Sequence, residues 1–306
     1  MKNYFVATIV SAALYGLAVL SAAADVKPCQ LVRVASVDMS TDTSGTADVP
    51  FTIDGHTLTL MIDTGGVDSM LTTATVEALA LPNIPMEFSR MRMFGGGLVD
   101  HKTLAHNIDF GGLKAAKMPF VIMPYRLPEG TNGTLSNDVL RVYDDEFDFA
   151  NAKFNLFLQD HCETNLAYWT RDDHAEIPFK LDQVGHIDFQ VTLDGQSIRA
   201  TFDTGSSRST LEFEKAQDLF GFKDEDPALK KVGQLSPAGN VYKYPFKTLQ
   251  FGGVSVSNPD LMLFPKRAVA LPGRPELILG MSIIRQLHLY IAYKEKKLYV
   301  TAASAH

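Results

Sequence analysis

Cysteine and tryptophan are nearly absent from this 306-residue chain, which has two cysteines, Cys29 and Cys162, and one tryptophan, Trp169. His161 stands beside Cys162, but nothing else falls at metal-ligand spacing from it, so no zinc site and no other metal or cofactor is expected. No Lys/Arg run interrupts a net charge of −7, so nothing points to nucleic acid. The mild acidity suits solubility. Beyond residue 24 no apolar run is long enough to cross a bilayer.

What the chain does have is a repeat. Asp63-Thr64-Gly65 ends the apolar run Leu58 to Ile62, and Asp203-Thr204-Gly205 ends Ile198 to Phe202. Asp54-Gly55 precedes the first copy as Asp194-Gly195 precedes the second, at the same offset of 140 residues. Ser69 and Leu71 return as Ser209 and Leu211, and Phe110-Gly111-Gly112 as Phe251-Gly252-Gly253. This is an internal repeat of domain length. One Asp-Thr-Gly alone reads as turn chemistry after a strand, whereas two in matched contexts point to a paired site.

A hydrophobic strand, Asp-Thr-Gly, Ser and Leu soon after, and a late apolar-apolar-Gly segment such as Ile278-Leu279-Gly280 resemble the aspartic proteases, and within them the single-chain, retropepsin-like bacterial members. The resemblance runs from Val49 to Val300. It implies an all-β, bilobal acid-protease fold, with two pseudo-symmetric barrel-like lobes and short helices. It also implies a monomer acting on a peptide or protein substrate, because both halves of the site lie on one chain. By position, Asp63 and Asp203 are the catalytic pair, with Thr64, Gly65, Thr204, Gly205 and Ser206 supporting them. The threonine hydroxyls are expected to lock the two loops together across the lobe interface.

The chemistry of such a pair follows from electrostatics. Two carboxylates about 3 Å apart cannot both ionise, so they share one proton. The ionised member takes a proton from a water as it attacks a peptide carbonyl, and the protonated member supplies one to the carbonyl oxygen. Ser206 follows the second tripeptide where Gly66 follows the first. A hydroxyl there is expected to hydrogen-bond Asp203 and favour its charged form, leaving Asp63 as proton carrier.

In chain order, residues 1–24 read as a secretory signal, with Lys2, an apolar core, and Ala22 and Ala24 at the cleavage positions. The protein is then periplasmic or secreted; an uncleaved signal would instead anchor it to a membrane. In an exported protein Cys29 and Cys162 invite a disulfide, the alternative being two free thiols. Residues 25–45 are either a short pro-segment or a disordered lead-in.

The first lobe is expected over 46–158, a linker over 159–184 with Trp169 packing on a lobe, and the second lobe over 185–303. A helix is expected from Thr73 to Leu81. The stretch from Arg90 to Val99, with Met93, Phe94 and the tip Gly95-Gly96-Gly97, falls where the family carries its flap, a lid over the substrate. Its apolar residues suggest hydrophobic side chains at the scissile bond. Its counterpart in the second lobe is Gly233 to Asn240.

Ser136 stands where the family has a glycine behind the first catalytic loop, and is expected to crowd Asp63. Asp138 reads as a helix cap. The cluster Asp144-Asp145-Glu146 with Asp148 reads as the solvent face of a strand that alternates with Phe147 and Phe149. A peptide-binding relative without turnover, or a processing protease with one substrate, are the competing functions.

Overall fold

A computed structural model describes residues 30–41, 45–86, 91–92, 98–163, 166–235, 239–265 and 275–303. Residues 1–29, with the signal and Cys29, lie outside the described residues, as do Met93, Phe94, Gly95, Gly96 and Gly97. Among the described residues no helix is long and apolar enough to cross a membrane.

The chain is all-β and bilobal. In the first lobe Val49, Phe51 and Ile53 alternate inward along the strand Ala47–Ile53 and are buried, the period-2 pattern of a half-buried strand. Asp54 and Gly55 then take positive φ, 49° and 80°, which a two-residue turn of the right twist requires. The chain returns antiparallel as His56–Asp63. The second lobe repeats this with Ile187–Leu193, Asp194 and Gly195 at φ 44° and 85°, and Gln196–Phe202.

Each aspartate-bearing strand runs parallel to a later one, Gly133–Ser136 in the first lobe and Leu277–Leu279 in the second. That later strand lies antiparallel to Met70–Thr72 or to Ser209–Glu212. The first sheet closes on itself, because Ala47–Ile53 also pairs His101–Phe110 through Thr52 to Asp109 and Ile53 to Ile108.

A third sheet joins the halves. Its order is Arg33–Asp38, Lys153–Phe157, Asp144–Asp148, Leu287–Ala292, Lys297–Ala302 and Ala175–Pro178. The central pairing sets Asp145 opposite Ile291 and Phe147 opposite Leu289, so a strand from each half of the sequence meets at its middle. Three expectations change here. Residues 33–41 form strands instead of a loose lead-in; the linker supplies a strand at Ala175–Pro178; and the last two strands belong to the shared sheet.

Asp144, Asp145 and Glu146 are buried, at 0%, 0% and 1% exposure, and do not form a solvent face. The linker covers them: Trp169 stacks on His288 at 4.1 Å and donates its Nε1–H to Thr301 Oγ1 at 3.0 Å. Tyr168 O–H donates to Glu146 Oε2 at 2.8 Å, and His288 Nε2 lies 3.0 Å from Glu146 Oε1. Buried charges persist only with such partners.

The expected first-lobe helix is present and ends earlier than its sequence suggests. It spans Thr73–Ala78, capped by Thr72, whose hydroxyl accepts the Thr75 N–H. The second-lobe helix spans Phe213–Phe220 and ends on left-handed Gly221.

Candidate active site

Asp63 is the last residue of its strand and Asp203 follows the last residue of the equivalent one, so each carboxylate projects from the start of a turn. Each is held by its own loop. Asp63 Oδ1 accepts the Gly65 N–H at 3.1 Å. Asp203 Oδ1 accepts the N–H groups of Gly205 at 2.9 Å and Ser206 at 3.2 Å.

The two loops interpenetrate. A Cβ on Gly65 would lie 2.4 Å from Cγ of Asp203, and one on Gly205 would lie 2.3 Å from Oδ1 of Asp63. Glycine is therefore required at both positions by the approach of the opposite carboxylate.

The threonines lock this approach reciprocally. Thr64 N–H donates to Thr204 Oγ1 at 3.1 Å and Thr204 N–H to Thr64 Oγ1 at 3.0 Å. Each hydroxyl in turn donates to the opposite strand, Thr64 to the Phe202 carbonyl at 3.2 Å and Thr204 to that of Ile62 at 2.8 Å. Both threonines are fully buried.

Behind each loop a serine ties the parallel strand in place. Ser69 Oγ accepts the Ser136 N–H, and Ser209 Oγ the Gly280 N–H, both at 3.0 Å. Asp138 does not cap its helix; its Oδ1 accepts from Ser69 N–H at 2.9 Å and Ser69 O–H at 2.7 Å. Ser282 plays the matching part in the second lobe, its Oγ accepting the Ser209 N–H at 3.0 Å. Sequence reading missed Asn137, whose Nδ2 donates to the Thr64 carbonyl at 2.9 Å. An asparagine directly after the crossing strand was the available signal.

Burial, and then the charge of Asp203 beside it, push the Asp63 carboxyl up to about 7 against the pull of the Gly65 and Gly66 amides. The Ser206 hydroxyl is not the cause of any asymmetry. It turns away from Asp203 and donates to the Arg208 carbonyl at 2.8 Å, because its backbone N–H already serves the carboxylate.

Ser136 does not crowd Asp63 either, since Gly66 leaves it room. A Cβ on Gly66 would meet Ser136 Oγ at 2.5 Å and Asp63 Oδ2 at 2.7 Å. In the second lobe Gly280 stands where the first has Ser136, and a Cβ there would lie 2.3 Å from the Arg208 carbonyl oxygen and 2.6 Å from that of Ser206. Gly66→Ser alone should therefore cost about 1–3 kcal/mol of stability through overpacking. Adding Ser136→Gly should restore part of it, as read by urea unfolding, because the contact with Asp63 Oδ2 remains. A single variant as stable as the parent would contradict this packing.

The model of the aspartyl protease family matches residues 49–139 and 189–283, which contain both tripeptides and both crossing strands. The chain belongs to the aspartyl protease family. No curated protein matches it. The crystal structure of basic 7S globulin from soybean is similar to it with a TM-score of 0.52 at 10% identity, covering 90% of this chain and 97% of the globulin. That likeness speaks to the bilobal fold. In this member of the family the backbone of the expected flap pairs at its base, Met91–Arg92 against Leu98–Val99. Among the described residues no cysteine is free, and Cys162 is disulfide-bonded.

Proposed function

We propose that the chain is an aspartic endopeptidase in which Asp63 and Asp203 share one proton and activate a water between them. The observation that carries this reading is the interpenetration of the two loops, each tripeptide glycine lying against the opposite carboxylate. Asp63, raised by burial and by its neighbour, is the proton carrier, and Asp203 is the base. The Thr64–Thr204 lock holds the carboxylates in register, which is the preorganisation that a water-activating pair needs. No covalent intermediate is required, and the reading calls for no cofactor.

The substrate is an extended peptide lying between the lobes, with the expected flap as its lid. The sequence of the expected flap, with Met91, Met93, Phe94 and Leu98, favours hydrophobic side chains at the cleaved bond. The enzyme works as an exported monomer, with Cys29 paired to Cys162.

Cleavage of a mixed peptide library across acid to neutral pH, with and without pepstatin, tests the reading. Pepstatin-sensitive cleavage beside hydrophobic residues is the expected result. A library left intact at every pH would remove the general-endopeptidase reading and favour a binding role.

A further inference from the structure

One face of the shared sheet carries charge where a covered face is usually apolar. Alternate residues of a strand point the same way, so Asp144, Glu146 and Asp148 share a face, and the register sets Tyr290 beside Glu146 and His288 beside Asp148 on it. Asp144 and Glu146 are buried. The linker lies over this face and brings His161, Tyr168 and Trp169 to it.

Buried carboxylates need a cation close by. Among the described residues, the ion-pair partners of Asp144 and Glu146 are both histidines, His161 from the linker and His288 from the sheet.

His161 Nδ1 lies 3.2 Å from the Cys162 carbonyl oxygen, which can only accept, so that nitrogen carries a hydrogen. Nε2 lies 2.5 Å from Asp144 Oδ2, with a proton held between the two. Tyr290 O–H donates to the same oxygen at 3.1 Å, and the Tyr293 N–H to Oδ1 at 3.0 Å. From the turn between the last two strands, a Glu295 carboxylate oxygen comes within 4.8 Å of a ring nitrogen of His161 and adds negative charge around it.

His288 stands between two carboxylates. Its Nε2 donates to Glu146 Oε1 at 3.0 Å, and its Nδ1 faces Asp148 Oδ1 at 3.8 Å. A lone pair on Nδ1 would point at a negative charge, whereas an N–H is attracted to it. Trp169 lies flat on the ring at 4.1 Å and 6°, an arrangement in which the indole face favours a cation. The second Glu146 oxygen accepts from Tyr168 O–H at 2.8 Å and Asn155 Nδ2 at 2.6 Å. Arg33 adds a positive charge near Tyr168.

We propose that the linker is a proton-held clasp: charged in acid, His161 and His288 neutralise Asp144 and Glu146 and hold the linker on the sheet shared by both lobes, and loss of those protons as the pH rises loosens it. Without the ring protons Asp144 and Glu146 remain as buried charges with no counter-charge, so the closed clasp is favoured in acid. Burial also raises the Asp144 carboxyl. That acts in the same direction, because the folded pair holds a proton that the unfolded chain releases as the pH rises. The clasp operates whether or not Asp63 and Asp203 cleave peptides.

The test uses the full chain. Trp169 is its one tryptophan, and an imidazolium stacked on an indole quenches it, so the emission reads His288 directly. From about pH 5 to pH 9 the emission should rise as the ring loses its proton, and move to longer wavelength as water reaches the loosened linker. His288→Gln, whose amide can still donate to Glu146, should lose the rise. Proton magnetic resonances of the His161 and His288 rings, followed in the unsubstituted protein, should move over the same range. Tm should fall as well, but Asp63 acts on it in the same direction, so the emission and the ring resonances decide. The proposal is overturned if the emission is flat over that range, if its rise persists in His288→Gln, or if the resonances of either ring stay fixed.

Discussion

Asp203→Asn is expected to lower kcat/KM for peptide cleavage by at least about 10³-fold, near the upper range for a positioned acid or base. Asparagine keeps the shape, and its carbonyl still accepts from Gly205 and Ser206, which hold Asp203 at 2.9 and 3.2 Å. What is lost is the charge that takes the proton from water. Peptide binding, measured by calorimetry, should stay within a few-fold, because the cleft is unchanged. Parallel kinetics on Asp63→Asn should show a similar loss, since the pair works as a unit. Turnover by either variant within tenfold of the parent would mean that the carboxylates are not the reacting groups.

The second large effect concerns stability. Thr204→Val preserves volume but removes a hydroxyl that accepts the Thr64 N–H and donates to the Ile62 carbonyl. Both groups lie in fully buried residues and would be left without partners. Each buried orphan costs about 1–3 kcal/mol, so unfolding free energy should fall by about 2–5 kcal/mol. Urea unfolding followed by Trp169 fluorescence measures it. Activity should fall as well, because the lock fixes both carboxylates. A loss below about 0.5 kcal/mol, ordinary for an unimportant position, would show that the threonines do not hold the lobes together.

The repeat made most of the fold legible. Matched offsets of Asp-Gly turn, strand and Asp-Thr-Gly placed both hairpins and both candidate acids, because such turns and strands depend on a few local residues. The reciprocal threonine bonds were expected from the family resemblance alone. What escaped was long-range. The shared sheet pairs Asp144–Asp148 with Leu287–Ala292, and no local pattern announces a pairing across more than a hundred residues.

That omission produced the main error. Glu146 and Asp148 alternate with Phe147 and Phe149 as on an exposed strand, yet the linker folding over the sheet makes Glu146, with Asp144 and Asp145, interior. The Gly66 and Ser136 substitutions illustrate the same limit at short range. Each departs from the pattern when taken singly, yet the two fit one another once the strand Gly133–Ser136 is laid beside Asp63.

A proton shared between Asp63 and Asp203 should show in the dependence of kcat/KM on pH. With Asp63 raised to about 7, cleavage requires one protonated and one ionised member. The profile should be bell-shaped, with its alkaline limb falling near neutrality as the shared proton leaves the pair. A rate that stays level or climbs from pH 6 to pH 9 would contradict the claim, because a doubly ionised pair cannot protonate the peptide carbonyl.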